Sequence, residues 1–238
     1  MTQPVVCITG GGSGIGYGTA ELLLNHQYAV VICGRRASVI EKAVQQLRQK
    51  FPTGIISGVV ADIATEAGVL DLFKHIQTHH QRLDCLINNA STLSVEPFES
   101  VSTQTIQTLI NTNIMSTILC SQAAIPLLKQ SPNACIVNIS SLGGIKGSMK
   151  FPGFSIYSMT KGAVVALTET LAVELKSHGI RVNALAPGTV DTPMLKQAGS
   201  HLSTETTPGD IAPSILFLIQ ASPTSGLSGT ILEVHSNV

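Results

Sequence analysis

The chain has 238 residues, 44% of them hydrophobic and only 12% charged, with 14 Lys plus Arg balanced by 14 Asp plus Glu. This length suits one large domain that needs no disulfide or metal staple. Balanced charge argues against nucleic acid or an anionic membrane as partner, since both ask for a basic excess or stripe, and the apolar content excludes intrinsic disorder.

Short β-branched runs alternate with helical stretches from end to end. Val5–Ile8 starts almost at once, so no signal peptide is expected; it precedes a helix near Gly14–His26. Val30–Cys33 precedes a helix near Ser38–Gln49, and Ile55–Ala61 precedes Thr65–His80. Leu83–Ile87 leads into the long segment Thr103–Lys129, which carries no charge until its last residue. Its many Ser, Thr, Gln and Asn residues argue against a membrane span, so it reads as a helix buried on most faces. Cys135–Ile139 precedes Ser155–Ser177, Ile180–Ala184 precedes Gly209–Gln220, and Ile231–Val234 closes the series. Strands followed by helices imply right-handed βαβ units, and strands apolar at consecutive positions imply a sheet covered on both sides. The expected fold class is α/β, one domain over 1–238, with a doubly wound parallel sheet of about seven strands and helices on both faces.

The five cysteines (Cys7, Cys33, Cys85, Cys120 and Cys135) lie in apolar runs without a C-x-x-C pair. They read as buried free thiols in a reducing compartment, which makes a cytoplasmic location the expectation. Three histidines, His75, His79 and His80, have a metal-like spacing on a helix, but no partner ligand of the right kind lies near. A solvated helix face is expected there, and no metal.

Thr9-Gly10-Gly11-Gly12-Ser13-Gly14-Ile15-Gly16 joins the first strand to the first helix. Such a loop is either a tight turn or a cradle that lets backbone approach a pyrophosphate at a helix N-terminus; its strand–loop–helix setting favours the cradle. The second strand ends Cys33-Gly34-Arg35-Arg36, without the carboxylate that would hold a ribose 2′-hydroxyl. Arg35 and Arg36 either cap the strand end in water or pair with a 2′-phosphate, which favours NADP(H) over NAD(H). Tyr157 and Lys161 lie four residues apart in a helical stretch and so share one face. A cation beside a phenol lowers its pKa and fits it for proton exchange with an alcohol or carbonyl oxygen.

These motifs, in this order, resemble the short-chain dehydrogenase/reductase family along nearly the whole chain. Thr9–Gly16 is similar to its TGxxxGxG loop, Asp62-Ile63 to its adenine-contacting pair, and Asn88-Asn89-Ala90 to its NNAG signature. Asn113 resembles the family's helix asparagine, Ser140-Ser141 its serine pair, and Tyr157 with Lys161 its YxxxK pair. Pro187-Gly188, followed by Val190 and Thr192, resembles the segment that closes on the nicotinamide. The resemblance implies a Rossmann-like domain whose N-terminal part binds the cofactor and whose C-terminal part carries catalysis and substrate binding. It implies that Tyr157 exchanges the proton, Lys161 lowers its pKa and holds ribose hydroxyls, Ser141 stabilises the substrate oxygen, and Asn113 positions a relay water. The implied activity is NADP(H)-dependent interconversion of a carbonyl and a secondary alcohol, on a ketone or 3-oxoacyl-type substrate. The alternative is a dinucleotide-binding sensor or scaffold whose chemistry is idle.

Several stretches depart from the family pattern. Ser91 replaces the last glycine of NNAG, where it would crowd the cofactor. The interval Leu142–Ile156 is longer than usual and carries Lys146, Met149, Lys150, Phe151 and Phe154, either lining an apolar substrate pocket or forming a surface loop. Pro193–Pro208 is short and polar for a substrate-covering lid, with Ser200–Thr207 reading as a surface loop. The chain ends Val234-His235-Ser236-Asn237-Val238 where the family often has VDGG. From Asp84 to Lys146 the only charges between are Glu96, Glu99 and Lys129. With the resemblance, this depletion implies a homotetramer (or homodimer) joined through the helices of Asn113 and Tyr157.

Overall fold

The computed structural model describes residues 3–199 and 203–236. The first half runs β1 (Val5–Thr9), α1 (Gly14–Asn25), β2 (Ala29–Gly34), α2 (Ala37–Lys50), β3 (Ile56–Val60), α3 (Glu66–His79) and β4 (Cys85–Asn88). The second half runs α4 (Thr103–Ile110), α5 (Ser116–Leu128), β5 (Cys135–Ile139), α6 (Ser155–Glu174), β6 (Arg181–Pro187), α7 (Pro193–Ala198), α8 (Pro208–Gln220) and β7 (Ile231–Val234). All seven strands are parallel, in the order β3-β2-β1-β4-β5-β6-β7. This is the doubly wound sheet expected from the alternating runs.

Successive strand residues point to opposite faces, and both faces are covered. Val6 and Ile8 pack with Leu23 of α1, Leu47 of α2 and Ile215 of α8. Their neighbours Val5 and Cys7 pack on the other side with Leu72 and Ile76 of α3 and Leu128 of α5. Each fully buried Leu or Ile stabilises the fold by roughly 1.5–3 kcal/mol, and the inner strands β1, β2, β4, β5 and β6 are buried at nearly every position. All five cysteines are free and buried within these layers. Helix starts follow local chemistry: Thr65 caps α3 by accepting from the Gly68 amide at 3.1 Å, and Thr207 with Asp210 forms a capping box on α8. Among the described residues no helix is long and apolar enough to cross a membrane.

Two stretches differ from the sequence expectation. The segment 103–129 is not one regular helix: a π-helical turn over Asn111–Met115 separates α4 from α5. The wider turn sets Asn113 against Thr92 and Thr160, and the hydroxyls of Ser116 and Thr117 bond the carbonyls of Thr112 and Asn113. Within the expected polar lid, α7 forms because Thr192 accepts from the Leu195 amide at 3.2 Å and Pro193 opens the first turn.

Strand order reverses between β1 and β4, which opens a crevice at the carboxyl ends of these strands. The ends are stitched together. Thr9 Oγ1 accepts from the amides of Asn89 and Ala90 at 2.9 and 3.0 Å, and Asn89 Nδ2 donates back to the carbonyls of Thr9 and Gly10 at 2.9 and 3.1 Å.

Candidate active site

A cavity of about 1010 Å³ fills this crevice. One end is the glycine loop. Gly10 and Gly14 take left-handed backbone (φ +65° and +55°), and a Cβ on Gly10 would sit 2.9 Å from Ala90 Cα. Ser13 is the N-cap of α1 but makes no side-chain capping bond, and no acid stands in the first turn. Gly14 and Ile15 therefore bring uncapped helix N–H groups to the cavity wall beside Gly12 and Ser13, while Gly16 does not line it. The polarity suits an anion.

Beyond the loop the wall continues through Arg35 and Arg36, then Asp62 and Ile63, then Asn89 and Ala90. Both arginines are exposed, and neither forms an ion pair among the described residues. Asp62 is exposed, its Oδ1 accepting from the Ala64 amide at 3.2 Å, and Ile63 is buried beside it. At the far end stand Ser141, Tyr157 and Lys161, faced by Pro187, Gly188, Val190 and Thr192.

Ser140 donates from Oγ to the Lys161 carbonyl at 2.9 Å and so ties α6 to the end of β5. Lys161 is only 3% exposed; its Nζ donates to the Ile139 carbonyl at 2.8 Å and lies 5.7 Å from the Tyr157 ring centroid. Burial lowers this amine to about 8. Burial also pushes the Tyr157 phenol up to about 12, against a hydrogen bond with Ser141 that pulls it down. This corrects the expectation of a phenol depressed by lysine. The ammonium is held on a backbone carbonyl, the hydroxyl of Ser141 is the group that favours the phenolate, and burial outweighs it. Ser141 Oγ accepts from the Gly143 amide at 3.1 Å, so its single proton goes to Tyr157 here and can turn to an oxygen bound in the cavity.

Asn113 is 1% exposed and lies behind the wall, not on it. Its Oδ1 accepts from Ser91 Oγ at 3.0 Å and the Thr92 amide at 2.8 Å. Its Nδ2 donates to the Thr92 carbonyl and to Thr160 Oγ1, both at 3.0 Å. Thr160 in turn donates to the Tyr157 carbonyl at 2.7 Å. The amide thus makes all four of its bonds to protein, so its side chain has none left for a relay water. It braces Tyr157 from below, and Ser91, expected to crowd the cofactor, supplies one of the braces. Thr160 carried no signal in the sequence beyond its place in a helix.

The interval 142–156 lines the cavity: Met149, Lys150, Phe151 and Phe154 reach the wall, Lys146 does not. Phe151, Phe154 and Tyr157 form a ladder of tilted rings with centroids 6.0 and 6.3 Å apart. These side chains stand at the cavity wall, with Met149 and Phe151 still exposed. Met194 and Leu195 of α7 line the opposite side. Thr189, His235 and Ser236, absent from the sequence reading as site residues, line it as well. Residues 200–202 of the lid and the terminal pair Asn237-Val238 lie outside the described residues. Elsewhere, His75 and His79 stack at 4.1 Å and His75 Nε2 lies 3.1 Å from Ser57 Oγ; no metal-sized cluster of ligands occurs among the described residues.

Residues 4–203 match the family model described as short chain dehydrogenase. A 3alpha-hydroxysteroid dehydrogenase of Mediterraneibacter gnavus is 31% identical, over 98% of this chain and 96% of that protein. Among solved structures, ElxO with NADP bound superposes with a TM-score of 0.86 at 31% identity, covering 98% of both chains. A 3-ketoacyl-(acyl-carrier-protein) reductase from Brucella melitensis, complexed with NADH, superposes with a TM-score of 0.88 at 27% identity, covering 98% of this chain and 96% of that one.

Proposed function

Because the chain belongs to the short-chain dehydrogenase/reductase family and is an NAD(P)-dependent oxidoreductase acting between alcohols and carbonyls, we propose that it interconverts a ketone or 3-oxoacyl-type carbonyl and its secondary alcohol, with NADP(H) preferred. The observation that carries this reading is the meeting of Ser141, Tyr157 and Lys161 in one cavity with an uncapped, glycine-lined helix N-terminus. The cofactor fits that cavity. The α1 N-terminus would hold its pyrophosphate, Asp62 and Ile63 would flank the adenine, and unpaired Arg35 and Arg36 would take the 2′-phosphate. Gly188, Val190 and Thr192 would face the nicotinamide, which supplies or accepts the hydride when bound.

The remaining chemistry belongs to the chain. Tyr157, protonated at neutral pH, gives its proton to the carbonyl oxygen during reduction and takes it back during oxidation. Ser141, with its Oγ fixed by Gly143 N–H, donates to the same oxygen as negative charge builds on it. Lys161 uses one N–H on Ile139 and keeps two for ribose hydroxyls. The first part of the chain serves cofactor binding and the later part catalysis and substrate.

One experiment tests this reading in two stages. NADPH is expected to raise the melting temperature more than NADH does, because the tighter ligand stabilises the native state more, and Arg35→Asp is expected to reverse that order. A ketone and 3-oxoacyl panel is then expected to show turnover that Tyr157→Phe lowers by about 10²–10⁴-fold. Cofactor binding without turnover on any member would overturn the catalytic reading, and a larger shift with NADH would overturn the NADP preference.

We also propose a cytoplasmic homotetramer. Met115, in the charge-poor stretch beside α5, and Met159 and Val173, beyond it on α6, are exposed by 37%, 47% and 77%. Such apolar faces mark interfaces. Sedimentation at micromolar concentration should give a tetramer; a monomer would refute the assignment.

A further inference from the structure

The C-terminal tail reaches the cavity on the side opposite Tyr157. Past the end of the β6–β7 ladder, the Gly188 amide donates to the Val234 carbonyl at 2.8 Å, so the strand pairing continues into the segment that faces the cavity. Ser236 then grips the next residue at two points. Its Oγ donates to the Thr189 carbonyl at 2.8 Å and lies 2.9 Å from Thr189 Oγ1. A hydroxyl has one proton, and that of Ser236 is committed to the carbonyl, so the Thr189 hydroxyl is the donor in the second bond. The fit is close on a third side: a Cβ on Gly188 would lie 2.4 Å from Ser236 Oγ. Val190, next in the chain, is 5% exposed and anchored in the core. Peptide 188–189 is therefore held between a buried anchor and a tail serine 47 residues away.

We propose that Ser236 is a positioning residue for the reaction: acting through Thr189, it sets the distance and angle at which the Gly188–Val190 backbone meets the nicotinamide end of the cofactor. This rests on the assignment of that segment as cofactor-facing. The role is carried by the hydroxyl and not by bulk. Alanine removes both bonds, whereas threonine keeps the oxygen that makes them.

Two measurements on the full chain test this. In the cofactor-free protein, Ser236→Ala is expected to speed amide hydrogen exchange at Gly188–Val190 by roughly five- to thirtyfold, the loss of one or two net hydrogen bonds. Exchange in β1 and β5 should stay unchanged, which shows that the variant is folded. In turnover, Ser236→Ala is expected to raise the cofactor KM and lower kcat together, by roughly three- to tenfold each, with Ser236→Thr restoring both. Gly188→Ala should be more harmful with Ser236 present than in the Ser236→Gly background, where the 2.4 Å clash with Oγ is gone. Unchanged exchange at 188–190 would overturn the clamp outright. Faster exchange with KM and kcat unaltered would overturn its role in positioning. A wild-type protein that binds neither NADPH nor NADH, yet shows the exchange difference, would leave the clamp standing and refute both the cofactor assignment and the positioning role.

Discussion

Lys161→Met is expected to abolish turnover and yet raise stability at neutral pH. The wild-type amine is buried and lowered from 10.5 to about 8, a shift equivalent to about 3 kcal/mol of penalty on the charged form. Methionine fills a similar volume without a charge. It gives up the bond to the Ile139 carbonyl, worth about 1 kcal/mol, so the net gain at pH 7 is about 2 kcal/mol, or ~4–8 °C in Tm. Its pH dependence has a definite sign. Between about pH 8 and 10.5 the unfolded chain holds the lysine proton and the native chain does not, so wild-type stability rises with pH across that window. The advantage of methionine is therefore full below pH 8 and fades toward 10.5. Urea unfolding of both proteins at several pH values measures this directly. A variant less stable than wild type at pH 7 would overturn the view that a functional charge is being kept at a cost to the fold.

Asn113→Ala should lower stability and activity together. The substitution leaves the half-buried Thr92 amide and carbonyl without their partner and frees Ser91 and Thr160 from theirs. A buried backbone group stripped of its bond costs about 1–3 kcal/mol, so a total loss of about 3–4 kcal/mol is expected. Turnover should fall about 10²-fold, because the Thr160–Tyr157 link slackens and a shift of about 1 Å in a reacting group costs that much. Ser91→Gly removes a single bond and should cost only about 1 kcal/mol. A stability loss below about 1 kcal/mol for Asn113→Ala would show that the four bonds do not act as a brace.

The sheet, most of its helices and part of the cavity wall could be read from the sequence because their signals are local. Val30–Cys33 is a buried strand by its own composition, and the strand–glycine–helix order around Gly10–Gly16 announces a turn wherever it occurs. What escaped depends on contacts between distant residues. The π-helical turn at Asn113 exists because that amide bonds Thr92 and Thr160, 21 and 47 positions away. The state of the Tyr157–Lys161 pair depends on burial and on the carbonyl of Ile139, neither visible in a four-residue spacing. The grip of Ser236 on Thr189 likewise joins residues 47 positions apart. One missed element did carry a local signal: Thr192-Pro193 is a helix start, and α7 follows it.

The five thiols have a use beyond their part in the core. They sit on β1, β2, β4, α5 and β5, none exposed in the native molecule, and burial raises Cys7, Cys33 and Cys120 far from the thiolate that alkylating reagents attack. A cysteine reagent can reach them only when the layers part. The protein therefore carries a built-in set of opening clocks, and the order in which the five positions become labelled records which part of the sheet lets go first.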